Sequence, residues 1–300
     1  MRLFSKIFGG GLVLALVLAS IALVPSHLQV RSVEPGLPNA ARLRALLSVE
    51  DGPVRLRYVN TSSQALPQGE LGHPVFLVEW ANGNLFMIDA GMDRKTAVEF
   101  GKLMEFALDA DEAVSHGTIA ELLGDDTMRV MGVAYTHLHL DHTQGTVPFC
   151  AARGSGAVVF QTDWQADLHN FNTVEGATIV ADSCLERGTL SDGTVQSVEG
   201  FPGLGLVALG GHTPGSTLFT IAVGDRLWLL SGDISNTKAD LQSNTGKGFL
   251  YSYLIVPEHT GRSDLLRSWL GELDANEDMT VIVSHDLHDI AASGMAEYGR

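Results

Sequence analysis

Basic residues are scarce in this 300-residue chain: 19 Lys and Arg stand against 35 Asp and Glu, for a net charge of −16. Binding to nucleic acid needs a basic footprint, so the balance argues against such a partner. Cysteine is scarcer still, with Cys150 and Cys184 the only two. Neither sits in a Cys-x-x-Cys or other metal spacing, which leaves both without a catalytic role. In an exported chain they could pair; two free buried thiols are the other reading. Charged residues reach only 18% against 45% apolar. That excludes a disordered chain and allows a large core. There is no short internal repeat and no low-complexity tract. Glycine, at 33, is abundant, which suits an α/β or β-rich enzyme better than a helix bundle.

Long apolar runs are absent but for one. Arg2 and Lys6 precede an uncharged stretch of 18 residues from Ile7 to Val24. A positive start followed by such a run reads as a secretory signal or an uncleaved anchor. Its length is at the lower edge of a membrane span, roughly 17–25 residues. The best small-x-small cleavage triplet is Ser20-Ile21-Ala22. In either case Arg2 and Lys6 stay in the cytoplasm and the rest is exported. The expected location is periplasmic or extracellular, with attachment to the inner membrane through Ile7 to Val24 if the run is kept.

Residues 25–50 read as a linker, because Pro25, Pro35, Gly36 and Pro38 break regular structure, with a short helix at 40–47. From residue 51 onward the text is one layered α/β domain. Residues 74–80 and 84–89 flank Ala81-Asn82-Gly83, a hairpin signal. Residues 96–108 carry helical spacing, and 128–135 form a nearly all-apolar, buried strand. Strands are expected again at 157–161, 195–198, 204–209, 216–223, 226–230 and 280–283. Helices fit 162–171 and 262–273, the latter with Leu265, Leu266, Trp269 and Leu270 on one face.

Thr136-His137-Leu138-His139-Leu140-Asp141-His142 begins where the strand 128–135 ends. An extended backbone aims His137 and His139 the same way. With Asp141 and His142, four potential ligands occupy six residues. Imidazole and carboxylate together suit Zn²⁺, and also Mn²⁺ or Fe²⁺. Three later residues each follow a strand beside a turn residue. They are His212 in Gly210-Gly211-His212-Thr213-Pro214-Gly215-Ser216, Asp233 in Ser231-Gly232-Asp233, and His285 in Ser284-His285-Asp286.

The first run resembles the His-x-His-x-Asp-His signature of the metallo-β-lactamase superfamily. The later segments look like its remaining ligand motifs in the same order, and Ile88-Asp89-Ala90-Gly91 looks like its early Asp-x-Gly motif. The resemblance implies an αββα sandwich with two divalent metal ions, zinc first, manganese or iron as alternatives. His137, His139 and His212 would hold one ion; Asp141, His142 and His285 would hold the other; Asp233 would bridge. Asp89 would support the ligand loops, or simply cap a turn. The implied chemistry is hydrolysis of a small molecule's carbonyl bond by a hydroxide shared between the ions, with Asp141 as a proton donor. Asp233 stands where the family's true β-lactamases carry Cys or Ser, so the combination looks more like lactone hydrolases. Those carry Tyr where this chain has Asn236; Tyr251 or Tyr253 is a spatial substitute. Further readings are a metallo-β-lactamase, a glyoxalase II-like thioesterase, and a catalytically inactive metal-binding or partner-binding protein.

Overall fold

The structure, a computed structural model, describes residues 20–21, 23–67 and 69–299. Most of the uncharged run beginning at Ile7 therefore lies outside the described residues, and with it the signal-or-anchor reading. Among the described residues no helix is long and apolar enough to cross a membrane.

Strands in chain order are β1 (Arg55–Leu66), β2 (Gly69–Glu79), β3 (Leu85–Ile88), β4 (Val114–Ser115), β5 (Val130–Ala134), β6 (Val158–Phe160), β7 (Glu186–Arg187), β8 (Gln196–Ser197), β9 (Leu204–Ala208), β10 (Thr217–Val223), β11 (Arg226–Leu230), β12 (Met279–Ile282) and β13 (Ala296–Glu297). The first sheet runs β13-β1-β2-β3-β5-β6-β7, with β4 on β1; the second runs β12-β11-β10-β9-β8. β2 and β3 form the expected antiparallel hairpin, Glu79 opposite Leu85. Gly83 takes φ 87° in its turn, a conformation a side chain would strain. β3, β5 and β6 then pair in parallel, so the ends of β3 and β5 open at the same edge.

Alternation along the strands builds the layers. Phe76, Val78, Phe86 and Ile88 meet Leu204, Leu206, Phe219 and Ile221 between the sheets. The opposite face of the first sheet, with Val75, Leu77 and Val133, packs on Ile119, Leu123, Phe149 and Val180. These four lie in or beside the helices Ile119–Leu123, Thr146–Arg153 and Val174–Ala181. The outer face of the second sheet, with Val207, Leu218 and Leu229, packs on Leu266 and Leu270 of the helix Thr260–Asp274. Helix, sheet, sheet, helix is the αββα order.

Three expectations need correction. Residues 25–50 are not a free linker. Residues 23–31 are helical, Asn39 caps the helix Ala40–Arg44, and Val30, Leu43 and Leu46 are buried. Arg262 fastens the stretch by donating to the Pro35 carbonyl at 2.6 Å. The prolines break the pattern between short elements whose apolar residues still find the core. The helix expected over 162–171 stops at Asp167. Leu265 is exposed, unlike Leu266 and Leu270, because the buried stripe of its helix is narrower than its apolar content.

Candidate metal centre

Strand ends deliver every residue of the site. His137 lies just past β5, and His139 is the N-cap of the short helix Leu140–Thr143, which carries Asp141 and His142 in its first turn. His212 lies between β9 and β10, Asp233 in the 3-10 turn Gly232–Ile234 after β11, and His285 after β12. The Asp233 turn passes so close to Thr136 that a Cβ on Gly232, whose φ is +60°, would meet the Thr136 Cβ at 2.9 Å. Glycine is what lets the two ligand loops touch.

All seven sequence-derived residues converge. Three groups form, the first two sharing His137: His137, His139 and His212; His137, His142 and Asp233; His73, Asp141 and His285. Within each group the ligand atoms lie within 4.8 Å of one another. Asp233 joins the groups. Its Oδ2 is 3.1 Å from His285 Nε2, 3.8 Å from His212 Nε2 and 3.9 Å from His137 Nε2; its Oδ1 is 3.6 Å from His142 Nε2.

The outward nitrogens of the rings are tied down. His142 Nδ1 donates to Asp89 Oδ2 at 2.9 Å, His212 Nδ1 to Glu258 Oε1 at 2.6 Å, and His285 Nδ1 to the Gly72 carbonyl at 2.6 Å. Each bond fixes a tautomer and turns Nε2 toward the centre, which is how metal-ligating imidazoles are held. There His142 and His212 leave it without a partner among the described residues, and His285 sets it 3.1 Å from Asp233 Oδ2. Asp89 is thus more than a turn cap. It adopts φ +63°, and its carboxylate also accepts from Thr136 N at 2.7 Å and Thr136 Oγ1 at 2.9 Å.

Burial and charge fit the site to a cation. His142 Nε2, His212 Nε2 and Asp233 Oδ1 are buried and make no hydrogen bond among the described residues, and His139 turns its Nδ1 to within 2.9 Å of His137 Nε2. Three orphaned lone-pair atoms in one cluster would be costly without a cation to satisfy them. Burial and neighbouring rings keep His137 and His139 neutral, His139 down to about 3, and burial with Lys247 does the same to His212. Neutral imidazole is the ligating form. On the acidic side burial is outweighed: Asp141, Asp89 and Asp233 draw positive charge to His142, raising it to about 10, and Asp233 raises His285. A divalent cation answers the same demand.

Sequence reasoning missed several neighbours. His73 on β2 is buried, its Nδ1 3.4 Å from Asp141 Oδ2; no local motif marks it, and only sheet register brings it there. Glu258 also escaped notice, with Ser252 donating to it at 2.5 Å and buried Lys247 at 3.6 Å. Tyr251 stacks nearly parallel on His212, the planes 8° apart. Asn236 is exposed. Cys150 and Cys184 form a disulfide.

The family model described as the metallo-beta-lactamase superfamily matches residues 69–285, which span every one of these ligand loops. The chain belongs to that superfamily. It is accordingly a metal-dependent hydrolase with a mixed α/β fold. No curated protein sequence matches it. Among solved structures it is similar to an N-acyl homoserine lactone hydrolase with the product N-hexanoyl-L-homoserine at its catalytic metal centre. That match has TM-score 0.59 and 16% identity, covering 83% of this chain and 99% of the other. A variant of AiiA from B. thuringiensis with N-decanoyl-L-homoserine bound matches equally, with the same four values. A probable metal-dependent hydrolase from Staphylococcus aureus matches at TM-score 0.51 and 18% identity, covering 79% and 91%. At these identities the likeness to the three structures is one of fold.

Proposed function

We propose that the chain is a dinuclear hydrolase of lactones or closely related esters. The observation that carries this is the position of Asp233, whose carboxylate lies within 3.9 Å of His137 and His212 in one ligand set and of His142 and His285 in the other, where a bridging carboxylate would stand. His137, His139 and His212 would hold one divalent ion, and Asp141, His142 and His285 the second, with zinc the first candidate by donor chemistry. Ions held there supply Lewis acidity and bring the pKa of water from 15.7 to about 7. The chain's own groups do the rest. Asp141, kept ionised well below the usual carboxylate range by His142 and His73 despite burial, would orient its ion; as a carboxylate it first accepts the proton of the attacking water and then returns it to the leaving alkoxide. Burial and the carboxylates of Asp233 and Glu258 keep the Tyr251 phenol protonated. That makes Tyr251 a standing donor for charge that develops on a carbonyl oxygen. Tyr251 is thus the candidate for the role that Asn236 cannot fill.

The lactone hydrolases among the structural matches favour the same substrate class. Export is supported by the Cys150–Cys184 disulfide, which persists in oxidising compartments, and by the basic, then apolar, N-terminus. A substrate panel on the full chain tests the reading, with metal content measured in parallel. Turnover of N-acyl homoserine lactones or simple lactones ahead of thioesters, β-lactams and phosphoesters is expected. Two bound metals with no turnover of any of these would overturn it.

A further inference from the structure

The helical residues 23–31 are amphipathic in the unusual sense. Their inward face is satisfied: Ser26 and Val30 are buried, and His27 Nε2 is 3.1 Å from the Tyr253 carbonyl. The outward face carries Ile21, Val24 and Leu28, spaced i, i+3, i+7 on one stripe, with Leu28 66% exposed. Apolar side chains on a stripe that faces away from the protein have no partner among the described residues.

That stripe adjoins a second exposed apolar element. Tyr253, which His27 touches, belongs to the π-helical turn Tyr251–Ile255 and stacks on Phe249 with ring centroids 4.8 Å apart. Phe249 and Leu250 are 68% and 66% exposed, and Leu254 is also open to solvent. This segment is the wall of the metal site, since Tyr251 stacks on His212 and Ser252 holds Glu258. Scattered apolar residues on a surface need no explanation; contiguous ones from two elements mark an interaction site.

We propose that this face docks on a lipid bilayer and sets the metal site's wall against the membrane surface. The occupant follows from the chain itself. The uncharged run from Ile7 ends at Val24, inside the stripe, so no spacer separates that run from the docking face. A bilayer that takes up the run lies within a few residues of Leu28. A chain of net charge −16 has little electrostatic attraction to anionic headgroups, so on a bilayer apolar insertion carries the contact. The proposal is independent of which ester the site cleaves.

The test uses the full chain in phosphatidylcholine vesicles, with Leu250→Cys labelled by an environment-sensitive dye; the native cysteines are paired. Asp225→Cys, at the exposed turn between β10 and β11, is the reference site. The label at 250 should shift to the blue and lose fluorescence to a nitroxide carried on the lipid chains, while the label at 225 should not. Leu28→Ser with Leu254→Ser, both on exposed positions, should abolish that quenching with metal content unchanged. Equal quenching at both sites would overturn the proposal. So would protection from aqueous iodide at 250 without lipid quenching, because a second copy or the chain's own N-terminus would then be the cover.

Discussion

His142 and His212 are oriented in the same way, but the carboxylates that orient them are supported differently. Each donates Nδ1–H to a buried carboxylate, Asp89 for His142 and Glu258 for His212. Asp89 stands at the end of β3 and is held by neutral donors on the adjacent strand end, Thr136 N and Oγ1. Glu258 follows the π-helical turn, where burial pushes its carboxyl up. The ammonium of Lys247, with His212 and Ser252, holds it down at about 2. A buried carboxylate needs compensation whichever way it is supplied. The sheet edge supplies it by geometry; the wall segment imports a cation.

The largest effect should come from breaking what the two halves share. Asp233→Ala removes the carboxylate that lies between the two ligand sets, and His139→Ala removes the ring nitrogen that lies 2.9 Å from His137 Nε2. Both variants should lose metal, with hydrolysis falling to background. Full activity in either, assayed beside metal analysis, would remove the site assignment.

Next comes the support on the sheet side. Asp89→Asn keeps a residue that tolerates φ +63°. If its oxygen still accepts from Thr136, its amide must face His142 Nδ1–H, and two donors then meet. The imidazole is driven to the other tautomer, its Nε2 protonated and unable to ligate. Metal affinity should fall by about 10–100-fold, the usual cost of losing such a partner, as read by titration calorimetry. Glu258→Gln should cost less. Its amide oxygen can still accept from His212, so the tautomer survives and affinity drops by roughly tenfold or less. The larger loss is in stability, about 1–3 kcal/mol, because Lys247 is left buried beside a neutral group. A Glu258→Gln affinity below that of Asp89→Asn would reverse the comparison.

The same contrast explains what was legible in the sequence. His137 to His142, His212, Asp233 and His285 stand at strand ends, where apolar runs give way to polar residues, so the change in text marks them. Asp89 was readable because Gly91 and a preceding strand frame it. His73 sits in mid-strand, and its place depends on β2 register and on contact with a segment more than two hundred residues away. Glu258 and Lys247 belong to a segment with neither period nor motif; their pairing exists only once the wall folds over His212. Residues 25–50 hid for a related reason. Prolines mask short helices whose buried residues, Leu43 and Leu46, belong to a core assembled mostly from residues beyond 190.

The smallest effect on the site should come from opening the disulfide, which also sharpens the comparison. Cys150 lies in the helix Thr146–Arg153 behind the sheet-side support. Thr146 in that helix bonds the Tyr135 hydroxyl at 2.7 Å, and Gly145 N donates to the Gly91 carbonyl at 2.8 Å. These bonds, with buried Phe149, hold the helix against the Asp89 loop without the crosslink. The crosslink instead limits the unfolded chain, closing a loop across a sequence separation of 34. Cys150→Ser with Cys184→Ser should therefore lose roughly 3–4 kcal/mol of stability on the chain-entropy account. That corresponds to a fall in Tm on the order of 10 °C. Metal content and rate per folded molecule should stay unchanged. A variant that folds yet binds metal as weakly as Asp89→Asn would show that the sheet edge is not rigid by its own geometry. The contrast with the wall segment would then be one of crosslinking.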